Sequence, residues 1–338
     1  MRARLLAVSV AMVVLVGIAI GYTLRIRKAR ASAASAPPVA PEQPISLSAA
    51  APRQLLFRNM SAGPGFGRIA ALSLDDPQAT RRVADVACDR FASAAGVGLC
   101  LALRPAVLPP MTDLLVLDEN LNVVRRLELP GTPSRAKLSR DGKMAFWTIF
   151  VSGDSYAENG FSTRAGVLDL TTGELTKTIE ELPVFFDGKR YFANDVNYWG
   201  ITFDANDTRF YATLSSRGKT HLVQADYRTY RGRALEENVE CPSLSPDGKR
   251  IAFKRRVSPD VPVWRLSVMD LGTRLVVPLA ETRNVDDQAF WLDDLTVMYA
   301  LSASPGHSDI WSVPADGSGA PRLRVADASS PALGGQGP

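Results

Sequence analysis

Histidine is almost missing from this chain: His221 and His307 are the two it has in 338 residues. That scarcity removes most chemistry that depends on imidazole. No HExxH, CxxC or GxSxG string occurs, so a zincin centre, a paired-thiol redox motif and a nucleophile elbow are all unwritten. A Ser-His-Asp triad would have to recruit one of two histidines far apart in the chain. His307 lies in Ser304-Pro305-Gly306-His307-Ser308, a turn-like string, and reads as an exposed loop residue. An acidic loop of the helix-loop-helix calcium type is lacking too. No catalytic residue, cofactor or metal is expected.

A soluble basic surface is also lacking, although the formal charge is +4. Of the 39 Lys and Arg, six (Arg2, Arg4, Arg25, Arg27, Lys28 and Arg30) flank one hydrophobic run, which leaves 33 against 35 acidic residues. The electrostatic footprint of a nucleic-acid binder is therefore missing. The flanked run, Leu5–Leu24, has no charge inside it and is long enough to cross a bilayer as a helix, which takes about 20 residues. A cleaved signal is the rival, with Ala31-Ser32-Ala33 as its small-residue site, but signal cores usually run about 7–15 residues. Four cations also separate this core from that site. Residues 1–30 are expected to be a single-pass anchor. The positive-inside rule alone leans toward a cytoplasmic carboxyl-terminal part. The cysteines, and the resemblance given below, favour the extracytoplasmic side.

Cysteine is sparse. Cys88 and Cys100 flank the small-residue turn Ala94-Ala95-Gly96 between two apolar stretches. On neighbouring hairpin strands they would be close enough to bridge in an oxidising compartment; otherwise they are two small buried hydrophobes. Cys241 is left unpaired. Sustained helical periodicity is the last absence. Residues 31–53, rich in Ala, Pro and Ser, read as a disordered stalk, and residues 334–338 as a tail.

What remains is short apolar runs separated by Gly, Asp, Asn and Pro, the pattern of an all-β domain. The runs repeat. Pro242–Phe253 (PSLSPDGKRIAF) has a shorter copy in Ala136–Phe146 (AKLSRDGKMAF) and degenerate ones in Ile201–Ala212 and Gln288–Tyr299. The anchor positions Leu138, Phe203, Leu244 and Phe290 are 65, 41 and 46 residues apart, and Leu333 falls 43 residues later. Four strands in about 40–45 residues make one blade of a propeller. Counting copies predicts six blades over 54–333, with Ser329–Leu333 supplying the inner strand that the first blade lacks. Two insertions, 152–163 and 184–198, account for the long step.

The strings SLSPDGKRIAF, VMDL and DIWSVPADG resemble the repeats of TolB-type propellers, a WD-repeat-like group that includes the periplasmic TolB of the Tol–Pal system. Related repeats occur in the propellers of prolyl-oligopeptidase-like peptidases. ENVECPSLSPDGKRIAFK and NDVNYWGITF are similar to segments of membrane-anchored TolB-like proteins. The resemblance implies the propeller and an extracytoplasmic, partner-binding role. The helix and stalk stand where TolB has an α/β domain, which weighs against a Tol–Pal role.

Propeller function concentrates where the chain runs into each innermost strand. Those loops hold Asn194, Asp195 and Asn197, then Glu240, then Asp286, Asp287 and Gln288. Converging carboxylates and amides would suit a hard cation or a basic peptide group; alternatively they satisfy backbone groups at the mouth. Trp147, Tyr198, Trp199, Trp264, Trp291 and Trp311 read as packing between blades. In the 152–163 insertion, Tyr156, Asn159 and Phe161 are candidate recognition residues. The leading expectation is a protein- or peptide-binding scaffold in the cell envelope. A metal-dependent lactonase- or lyase-like propeller and a glycan-binding envelope sensor are the alternatives.

Overall fold

In a computed structural model, residues 44–335 are described apart from 75, 77–78, 152–161, 259 and 305. The proposed anchor Leu5–Leu24, residues 31–43 of the stalk, and Tyr156, Asn159 and Phe161 lie outside the described residues. Among the described residues no helix is long and apolar enough to cross a membrane, and every regular element is a strand.

The strands form six separate sheets. The first contains β1 (Gln54–Asn59), β2 (Arg68–Ser73) and β3 (Arg82–Ala87). The second is β4 (Arg90–Ala94), β5 (Val97–Leu103), β6 (Met111–Leu117) and β7 (Val123–Pro130). The third is β8 (Thr132–Leu138), β9 (Met144–Val151), β10 (Ser162–Asp169) and β11 (Leu175–Thr176). Next come β12 (Val184–Phe186) and β13 (Lys189–Arg190), followed by β14 (Asn197–Phe203), β15 (Arg209–Ser216), β16 (Lys219–Asp226) and β17 (Arg231–Glu237). The fifth sheet is β18 (Glu240–Leu244), β19 (Arg250–Arg256), β20 (Trp264–Asp270) and β21 (Val276–Pro278). The sixth is β22 (Phe290–Trp291), β23 (Thr296–Ser304), β24 (His307–Pro314) and β25 (Arg322–Val325). The last strand, β26 (Ala328–Gly334), leaves the sixth sheet and pairs antiparallel with β1, so Leu333 faces Leu55. The chain's end thus completes its first blade, and a ring closed this way exposes fewer sheet edges than an open one. Buried Arg81 secures the seam by donating to Asn59 Oδ1 at 2.8 Å and to the Asp327 carbonyl at 3.2 Å.

The repeat motif is turn chemistry. In Ser139-Arg140-Asp141-Gly142, the Ser139 hydroxyl donates to Asp141 at 2.9 Å and accepts from the Met144 amide at 3.0 Å. Ser245 and Asp247 repeat the arrangement with Arg250. Gly142 and Gly248 turn the chain at φ 74° and 71°, where a side chain would be strained. The Ser, Asp and Gly of these two copies are therefore consumed in building a hairpin. Leu138, Phe203 and Leu244 occupy the matching last pair, opposite Ala145, Phe210 and Ile251. The fourth is corrected by one residue: Trp291, opposite Val297, takes that place, and Phe290 pairs with Met298. The sixth-blade hairpin turn is one residue shorter, which moves the register.

The 184–198 insertion supplies β12 and β13, which extend the fourth blade outward through a parallel pairing with β17. The stalk boundary also shifts. Ile45 and Leu47, 4% and 2% exposed, join the core beneath the first two blades, and the Leu47 amide donates to Glu119. Gly334 belongs to β26, opposite Gln54, so the tail begins beyond it. Cys88 and Cys100 are disulfide-bonded with Cα atoms 5.5 Å apart. Cys100 lies on β5 opposite Phe91, while Cys88 lies in the connection before β4. The bridge therefore ties the link between blades one and two to the middle of the second blade. Cys241 is buried and free.

Candidate functional site at the channel mouth

Four of the six innermost strands, β8, β14, β18 and β26, carry a distortion. Register shifts occur between Pro133 and Arg135, Trp199 and Thr202, Glu240 and Ser243, and along β26 opposite Leu56 and Arg58. Gly200, Cys241 and Ser330 sit in these bulges at φ 65°, 50° and 52°. Bulges re-aim side chains, and at the start of β8 and β18 they turn polar residues toward the axis. The left-handed backbone of Cys241 recurs in two other blades and is a feature of the ring, with no special chemistry attached to that residue.

Four of the seven mouth residues come together. Asp286 accepts from Lys254 Nζ at 2.5 Å and lies 3.5 Å from Arg135. Glu240 accepts from Trp264 Nε1 at 2.9 Å, with Lys254 Nζ 3.9 Å away. Asp287 accepts from the Ala300 amide at 3.0 Å, and Gln288 donates to the Pro242 carbonyl at 2.8 Å. The other three serve the fourth blade. Asp195 accepts from Ser216 at 2.6 Å and from the Arg217 amide, bracing the β15–β16 turn. Asn197, 9% exposed, bonds Ser162 and Thr163 on the neighbouring blade. Asn194 is exposed in the preceding turn.

The carboxylates of this mouth already face cations of the chain itself. Lys254, 3% exposed, stands between Asp286 and Glu240 with its ammonium 4.3 Å from the centre of the Trp264 ring. Burial pushes the Asp286 carboxyl up, but Lys254 and Arg135 outweigh it and hold the group below its ordinary range. Among the described residues no cluster of three or more His, Cys, Asp or Glu is arranged for a metal.

Deeper in, a cavity of about 90 Å³ lies on the axis. It is lined by β4, β8, the segment leading into β22, and β26. Its polar lining includes Arg90, Arg135, Lys137 and Asp287; Phe91, Leu138, Phe290 and Pro331 contribute apolar walls. Arg90 Nε and Arg135 NH1 both donate to the Ser134 carbonyl, at 2.5 and 2.9 Å. Burial lowers the Arg90 guanidinium, and the neighbouring Arg135 charge lowers it further. Lys137 Nζ donates to Ser243 Oγ. Burial brings its ammonium down to about 7. These cations were missed in the sequence. Their signal was present: Lys137 stands where the related repeat has Ser243, a charge in a position otherwise small.

The histidines are elsewhere. His221 meets the Phe186 ring edge-on at 4.9 Å beside the inserted ribbon, and His307 lies 3.4 Å from Asp327. Trp147, Tyr198 and Trp291 are buried, whereas Trp264 and Trp311 carry the cations of Lys254 and Arg283 on their faces.

No family model matches the sequence, and no curated protein matches it. Solved structures do. TolB from Acinetobacter baumannii is similar with a TM-score of 0.57 at 16% identity, over 84% of this chain and 66% of its own. A putative TolB from Agrobacterium tumefaciens gives 0.47 at 12% identity, over 85% of this chain and 91% of its own. An oligogalacturonate lyase in complex with manganese gives 0.48 at 11%, over 74% and 72%. With six sheets closed by its own last strand, this chain is a six-bladed β-propeller with the fold of TolB.

Proposed function

We propose that the chain is a membrane-tethered, extracytoplasmic scaffold that binds a protein or peptide partner at its channel mouth. The observation that carries this reading is the axial cavity, built by four blades and ringed by polar side chains on rigid strands. Rigid display lowers the ordering cost of association. The tether rests on the uncharged run Leu5–Leu24. The bridged cysteines favour an oxidising compartment. A lactonase- or lyase-like reaction would draw on Glu240, Asp286 and Asp287, and each is already engaged by Lys254, Arg135, Trp264 or the Ala300 amide. That engagement favours binding over chemistry.

Crosslinking on intact cells, with wild type and Arg135→Glu compared, tests the scaffold. The expected result is a protein captured by wild type and lost from the variant. Identical capture by both, or none by either, removes the mouth from the mechanism. Protease added to spheroplasts should shave off the propeller; full protection would overturn the placement.

A further inference from the structure

The axial cavity has an unbalanced charge. Three cations line it, Arg90, Arg135 and Lys137, against one carboxylate, Asp287. Asp287 is itself occupied, since one of its oxygens holds the Ala300 amide. Arg90 and Arg135 spend hydrogen bonds on a shared neutral carbonyl, Ser134. Like charges held this close repel one another. Arg135 Nε is buried with no hydrogen-bond partner among the described residues, and a buried donor left unsatisfied costs about 1–3 kcal/mol. Lys137 reaches only a neutral hydroxyl, Ser243 Oγ. Asp286 reaches Arg135 at 3.5 Å but is shared with Lys254, which holds it at 2.5 Å. The cavity thus holds more basic groups than carboxylates, and one buried donor, Arg135 Nε, that no group of the described residues satisfies.

We infer that this cavity is a carboxylate receptor, in which Arg90, Arg135 and Lys137 grip an acidic side chain or terminus of a partner peptide. The inference rests on the peptide-binding reading above and names the chemistry of what enters. An arginine pair offers forked donors that match a carboxylate, and Lys137 adds a point charge. The walls favour a peptide over a sugar. Phe91, Leu138, Phe290 and Pro331 suit the methylene stem of a glutamate, whereas a uronic acid would bring hydroxyls for which those walls provide no partner.

The test is calorimetric titration of the full-length chain in detergent with tetraglutamate, tetraglutamine and digalacturonate. Tetraglutamate should bind at 50 mM salt and weaken at 500 mM, with tetraglutamine at least tenfold weaker. Arg135→Gln and Lys137→Gln should each weaken tetraglutamate tenfold or more. Asp287→Asn, which removes the one opposing charge, should tighten it, so a gain of affinity stands beside the losses if a cation variant folds poorly. Equal binding of tetraglutamate and tetraglutamine overturns the carboxylate preference and leaves the scaffold standing. Binding of neither peptide also overturns it, while crosslinking on cells decides the scaffold separately. Binding of digalacturonate with tetraglutamate excluded overturns the peptide in favour of an acidic sugar.

Discussion

Lys137 stands on β8, half-buried in the cavity wall with its ammonium on Ser243 Oγ. Burial pulls its ammonium down to about 7, against the opposing influence of Cys241 and Asp287. An unfolded chain holds that proton up to its ordinary value of 10.5. Between the two, the unfolded state binds more protons than the folded one, so on this group's account stability rises with pH across that window. Below about 7 the fold carries a buried ammonium paired only to a hydroxyl. Lys137→Met should therefore stabilise the fold at pH 6 by about 1 kcal/mol, the low end for removing such a charge because the side chain is only half-buried. The advantage should shrink by pH 10. Urea unfolding of both proteins at pH 6, 8 and 10 checks this; parallel pH profiles would refute it.

At the scale of elements, the repeat was legible because its polar residues do local work. Ser139, Asp141 and Gly142 make a turn that depends only on residues within five positions. Outer turns follow suit, with Asp169 and Asp270 accepting amides two and three residues on. The insertion at 184–198 was visible as extra length, but its parallel pairing with β17 was not, because that register depends on where Gly232 and Arg233 lie in space. The shift from Phe290 to Trp291 had the same origin. The disulfide makes the elements' clearest prediction. It closes a loop between residues 12 apart, and a bridge over a loop of this size is worth about 2–3 kcal/mol through the unfolded chain's entropy. Cys88→Ala with Cys100→Ala should lose that much in denaturant melts, and reducing agent should destabilise wild type but leave the double variant unchanged.

The whole molecule depends on its last strand. β26 covers the edge of β1, and its Ala332 belongs to the core beneath the first two blades. Deletion of residues 328–338 uncovers that edge and leaves Leu56 and Phe57, both 0% exposed, without their cover. Truncation should abolish cooperative unfolding or lower Tm by more than 10 °C, since each exposed core side chain costs about 1.5–3 kcal/mol. A scan that superimposes on wild type would show that closure contributes little.

The ring itself, the number of blades and the seam between the chain's end and its first blade were all determined by the sequence, because hairpin turns and strand alternation are local and recur at blade length. The sign of the mouth was decided only by tertiary structure. Glu240, Asp286 and Asp287 are visible as acids in the chain, yet Arg90, Arg135, Lys137 and Lys254 come from β4, β8 and β19 and meet them across the axis. Electrostatic balance is a sum over distances, and those distances exist only once the blades close around a common centre.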